Sequence, residues 1–261
     1  MPNWVINKIV LYGENAEQAL KNHFVRDEDG KLNLDFNTIE KMPEELQIEK
    51  GSRSIDGLKL YIAKLNPAIP NIGKSEDKMD YVELSKTLVD VFAERAMDNV
   101  TKYMIRPSEV EELKKMYKNN IDEVLELGEK VFRNKQKYGA ADWYDWSCEH
   151  WGSKWNACET QVVDDCVYFD TAWSPAIPAI EKLAKMHPEL TIEHSFSEEQ
   201  ASLLCGRVKY EKGKRVEEAL YPEFSKEAYE LYFDLWGGEE KFRFDSKAGT
   251  YVYQDKEDEM E

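Results

Sequence analysis

The chain has 261 residues and a formal charge of −17, from 52 acidic against 35 basic side chains, and 42% of it is hydrophobic. This length can bury a real core as one large domain or two small ones, and the hydrophobic share is that of a globular rather than a disordered chain. The negative balance disfavours a general coat on DNA, RNA or anionic lipid, and no apolar run approaches the ~20 residues of a membrane span.

The opening, MPNWVINKIVLYG, has no charged segment followed by a long apolar one, so a cytoplasmic protein is expected. The four cysteines (Cys148, Cys158, Cys166, Cys205) then read as reduced thiols rather than a disulfide framework. Residues Trp4 to Tyr12 alternate apolar and polar and stop at Gly13, which predicts a strand. Asn15 with Gln18 three places on suggests a capping box opening a helix. A turn at 27–30 and a short strand around Leu32 to Phe36 complete a β-α-β reading of the first 45 residues. Between Ile48 and Ile72 the pattern allows a strand or a helical turn.

Next comes a helical block. Ser75 caps a helix carrying Tyr81, Leu84, Leu88, Val91 and Phe92, and Ser108 with Glu111 opens a second running to about Tyr138. Its charged outer faces read as a solvated cover, with the inner stripe as core. Past residue 159, Thr160 to Thr171 has strand character, and Ser174-Pro175 reads as a hydroxyl cap followed by proline at the first helical position. Leu190 to Phe196 pairs with Leu203 to Tyr210, Ser225 to Trp236 is helical, and Lys241 to Phe244 with Thr250 to Tyr253 forms a hairpin. The expected class is α+β: a ferredoxin-like split β-α-β sheet with a helical insertion and a C-terminal helix plus β-hairpin. One body over 1–261 is expected, with sheet halves at 1–47 and 140–212, the insertion at 73–139, the C-terminal elements at 213–253 and a charged tail at 254–261.

The segment Asp142 to Ser174 holds five of the seven tryptophans and three of the four cysteines. Tryptophan combines a large apolar area with one N–H donor, so such a cluster must pack on itself or on a partner. The binding candidates are Trp143, Tyr144, Asp145, Trp146, His150, Trp151, Lys154, Trp155, Asn156 and Trp173. Three other chemistries were weighed. Cys148, His150, Cys158 and Cys166 offer soft ligands, but C-x-H-x7-C-x7-C matches no zinc spacing, so no metal is expected. Asp142, Asp145, His150 and Lys154 could support acid–base work or a metal-dependent reaction, yet no nucleophile–base signature accompanies them. The plainer reading is that the acids cap helices while Lys154 and Asn156 close a turn around Gly152. A ferredoxin-like sheet can stack single-stranded bases, but Leu203 to Glu211 only faintly echoes such a strand and the charge opposes it.

Four blocks carry a family likeness: Met1 to Gly13 (MPNW), Leu34 to Leu46 (LDFN, MPEEL), Asp142 to Ala157 (DWYDW, WG-x-KWNA) and Thr171 to Leu183 (TAWSP). In these the chain resembles the YubB family, Api-type phage and plasmid proteins with a ferredoxin-like domain. The resemblance spans roughly half the chain and implies a ferredoxin-like core and a mobile-element origin; it supplies no catalytic mechanism. The residues and the resemblance together favour an accessory protein without a cofactor and lean away from an enzyme, with an acid–base or metal-dependent enzyme using Asp142, His150 and Lys154, and a single-stranded nucleic-acid binder, kept as alternatives. The accessory protein would bind a host or element-encoded protein with a basic surface, inhibiting a defence or nucleic-acid-handling protein. Oligomeric state is left open.

Overall fold

In the computed structural model, residues 3–26, 28–65 and 107–254 are described. They fall into two compact units, Met1–Lys41 with Ser147–Glu261 and Met42–Trp146.

The first unit is built on six antiparallel strands in the order β4-β5-β1-β6-β7-β8. They are β1 (Trp4–Tyr12), β4 (Cys158–Val163), β5 (Cys166–Ala172), β6 (Thr191–Glu198), β7 (Cys205–Glu211) and β8 (Lys214–Tyr221). β1 lies between β5 and β6, antiparallel to both, and a helix (Ile177–Met186) connects those two. That is the expected ferredoxin-like split β-α-β. Alternation along β1 turns Val5, Asn7, Ile9 and Leu11 to one fully buried face. There they join Phe169, Ile192 and Phe196 of neighbouring strands, and Ile180 and Leu183 of the connecting helix are equally buried. The opposite face is only partly covered, by a helix over Lys226–Trp236 whose Leu231 and Leu235 pack with Cys205, Ile6, Tyr168 and Tyr221. Ser225 caps that helix, accepting a hydrogen bond from the Ala228 N–H. A hairpin, β9 (Phe242–Asp245) with β10 (Thr250–Tyr253), follows as expected.

Several local expectations are corrected. Asn15 adopts φ 64 and makes no side-chain cap, so α1 (Ala16–Lys21) starts without a capping box. A small hairpin, β2 (Phe24–Arg26) with β3 (Leu32–Leu34), stands where one strand was expected. Residues 160–171 hold two strands, β4 and β5, turned at Asp164 and Asp165. Ser174 does not cap the next helix; it donates to the Gly152 carbonyl at 2.6 Å, and the helix begins after Ala176 with Pro178 in its first turn. β8, with every residue but Tyr221 exposed, has no apolar alternation to betray it.

The second unit is helical. Residues 48–72, undecided from their pattern, contain α2 (Ser52–Leu65). The single helix expected from 108 to 138 is two, α3 (Pro107–Met116) and α4 (Ile121–Tyr138). Their apolar stripes meet in a core of Leu58, Ile62, Val110, Leu113, Val124 and Val131. Gly57 of α2 and Gly128 of α4 lie backbone to backbone, and a Cβ on either would enter the other's main chain. The helix expected from Ser75 and, but for Gln254, the charged tail expected at 254–261 lie outside the described residues. Among the described residues no helix is long and apolar enough to cross a membrane.

Candidate functional site

Helix α5 (Trp143–His150) opens the tryptophan-rich stretch. The Asp142 carboxylate accepts from the Tyr144 and Asp145 N–H groups at 3.0 Å each, a helix N-cap. Burial pushes its carboxyl up from the ordinary value. Asp145 pairs with Lys50, whose ammonium sits 4.1 Å from the Tyr144 ring centre. Trp146 is 3% exposed. These residues cap and pack.

In the sheet unit the chain then makes a tight turn. The Trp151 and Gly152 N–H groups both donate to Ser147 O, and the Ser147 hydroxyl donates to Lys154 O at 2.8 Å. Gly152 has φ +77 against Pro178, where a Cβ would collide with the proline ring. Trp151 is buried beside Phe36 and donates from Nε1 to Glu40 O at 3.0 Å. Asn156 ties the turn to the second motif block: it accepts from the Phe36 N–H at 2.8 Å and donates to the Asp35 carboxylate at 2.6 Å. The turn is thus locked from inside, which leaves Trp155 facing out.

Trp155 is 39% and Trp173 51% exposed. Trp155 lies 6.1 Å from the Trp4 ring, with the Lys154 ammonium 4.5 Å from its own ring centre. Trp4 is opposite Ala172 in the sheet, and the Lys154 N–H bonds Ala172 O, so Trp173 and Trp155 each follow directly on that junction. Trp173 holds φ 76, a left-handed conformation costing a bulky residue about 1–2 kcal/mol, and its N–H donates to Asn3 O at 2.9 Å. Two acidic residues bond the segment that carries Trp4. Glu198 accepts from the Asn3 amide, and Glu199 bonds the Trp4 carbonyl through its N–H. Asp170 is pushed up to about 6 by burial and by the Glu159 and Glu199 carboxylates.

His150 is drawn into another cluster. Its Nδ1 lies 3.0 Å from Glu40, and Lys182 bonds both Glu40 and the His150 carbonyl. Burial pushes the Glu40 carboxyl up, but the Lys182 and His150 hydrogen bonds outweigh it and hold the carboxyl below its ordinary range. Burial, with Asp170 and Glu159, raises the Cys158 thiol to about 11, so it stays protonated. No group of three His, Cys, Asp or Glu side chains among the described residues could hold a metal ion. Glu40, Lys182, Trp4 and Glu199 were missed as neighbours of the segment; only the Trp4 indole at the end of an alternating strand hinted at one of them.

Residues 150–242 match a family model described as the ferredoxin-like domain in Api92-like protein, a little over a third of the chain. A solved structure, the protein api92 from Yersinia pseudotuberculosis, aligns with 12% identity over 85% of this chain and 99% of that one, at a TM-score of 0.35. No curated protein matches.

Proposed function

We propose that the chain is an accessory protein that acts by binding another protein through the ridge of Trp4, Trp155 and Trp173. The observation that carries this is the exposure of two indoles, one of them on strained backbone, around a turn whose other polar groups are internally bonded. Aromatic anchors dominate protein interfaces, and strain at an exposed side chain is a mark of use rather than of stability. The carboxylates of Asp170, Glu198 and Glu199 suit a partner with a basic contact face, including one that otherwise grips nucleic acid, while Glu159 is already paired with Lys31. The likeness of the sequence blocks to phage and plasmid proteins favours a mobile-element setting, with inhibition of a host defence as the role. The test is affinity capture from lysate of the cell carrying the gene, with nuclease, comparing the wild type with the Trp155→Ser/Trp173→Ser double variant. A protein retained by the wild type and lost by the folded variant supports the reading. Retention of salt-sensitive oligonucleotide alone, with no protein, overturns it.

A further inference from the structure

A second site stands apart from the tryptophan ridge, on the open face of the sheet. The register aligns one row across five strands: Tyr168 (β5), Lys8 (β1), Ser195 (β6), Arg207 (β7) and Ala219 (β8). Lys8, Ser195, Arg207 and Ala219 of this row line a groove of about 980 Å3 that reaches Asp234 of the Lys226–Trp236 helix. Within a chain of charge −17 the row carries two cations and no carboxylate. Arg207 is exposed and, among the described residues, its guanidinium has no ion pair or hydrogen bond; the Ser195 hydroxyl has no partner there either. Lys8 reaches Asp234 at 3.5 Å, a pair whose acid is half exposed at the groove's lip. The next row differs: Lys209 stands between Glu193 and Glu217 across the sheet and pairs with Glu193 and Glu211.

We infer that this row binds a compact phosphomonoester dianion. Neighbouring strands lie about 4.8 Å apart, so Lys8 and Arg207 flank Ser195 at about 5 Å on either side. Two long cationic side chains and a hydroxyl can then converge on one tetrahedral anion, the guanidinium supplying a two-pronged donor. Glu193 and Glu217 bound the site on one side and Asp234 on another, and Glu218, which also lines the groove, is paired with Arg215; this excludes an extended polyanion and admits a small one.

The experiment is calorimetric titration of the full chain at low salt with phosphoserine and, separately, adenosine monophosphate. Saturable binding is expected, weakened about tenfold or more by Arg207→Gln or Lys8→Met and unchanged by Arg243→Gln in the distal hairpin. Arg207→Lys keeps the charge, loses the fork and should fall between, which separates recognition from damage to the fold. Tighter binding of the nucleotide than of phosphoserine identifies a nucleotide source, and equal binding a free phosphomonoester; either supports the site. No saturation by either ligand at about millimolar concentration, or affinity untouched by Arg207→Gln, overturns it. So does preferential binding of an unphosphorylated oligothymidylate.

Discussion

The sheet unit and the helical unit solve the problem of burial in opposite ways. The helical unit centres on an apolar cluster, lets two glycines bring α2 and α4 into backbone contact, and bonds its buried Ser54, Asn134 and Asp142 to nearby backbone. Each interior glycine costs about 1 kcal/mol relative to alanine, which the close packing must offset. The sheet unit instead runs a buried polar network across its strands, with His194 Nδ1, Ser202 Oγ and Tyr210 Oη left without a partner among the described residues. Asn7 donates to Thr171 Oγ1 at 2.8 Å and to Val5 O, while its Oδ1 accepts from His194 Nε2 at 2.9 Å and from the Ala176 N–H. All four histidines also lie in this unit. The lesson is that added volume probes the one unit most sharply and histidine protonation the other.

The largest effect expected is from Gly128→Ala. The new methyl meets the Gly57 carbonyl, which cannot swing aside like a side-chain tip, so the helical unit should lose about 3 kcal/mol in denaturant titration. An unchanged midpoint would mean that α2 and α4 are not in contact at these glycines.

Acid should strike the other unit. His194 is wholly buried, and with Nε2–H given to Asn7 its Nδ1 has no partner among the described residues, so burial lowers its pKa to about 3. His23 is lowered by burial and then by His187, whose Nε2 lies 3.1 Å away. Both must be neutral in the fold. Their contribution is complete above the unfolded histidine pKa near 6.5 and is lost as pH falls, at up to about 1.4 kcal/mol per pH unit for His194. Between pH 7 and 5 the sheet unit should weaken while the helical unit, without a histidine, holds. Amide exchange resolved by segment would check this, and equal weakening of both units would refute it.

A smaller, opposite effect belongs to Asp170. Its folded pKa of about 6 exceeds the unfolded value, so the ionised carboxyl costs stability above pH 6 and the cost disappears in acid. Asp170→Asn should stabilise the protein at pH 7.5 by about 1 kcal/mol, after allowance for its partial exposure, and make the acid loss steeper. Thermal melts at the two pH values would show it; no gain at pH 7.5 would mean that Asp170 is solvated.

These contrasts also explain what was legible in the sequence. Period-two alternation betrayed β1, β6 and β7, each with one buried face, whereas β8 lacks a buried face and gave no signal. The capping reading succeeded at Asp142, whose carboxylate accepts from the Tyr144 and Asp145 N–H groups, and failed at Ser174, whose hydroxyl is claimed by Gly152. Sheet order and the Gly57–Gly128 approach depend on partners far away in the chain, so no local pattern carried them. In the candidate site, composition singled out the segment but not its orientation. Trp146 and Trp151 turn inward, and Trp155 and Trp173 turn out, because Asn156, Ser147 and Gly152 bind the turn to distant carbonyls and amides.

Once a partner has been captured, titrating it into the wild type and into Trp155→Ala and Trp173→Ala separately measures the central claim. Each indole, if an anchor, should cost about 2 kcal/mol or more, roughly thirtyfold in affinity, with unfolding midpoints held. Affinities equal to wild type in both variants would contradict the tryptophan ridge as the contact surface.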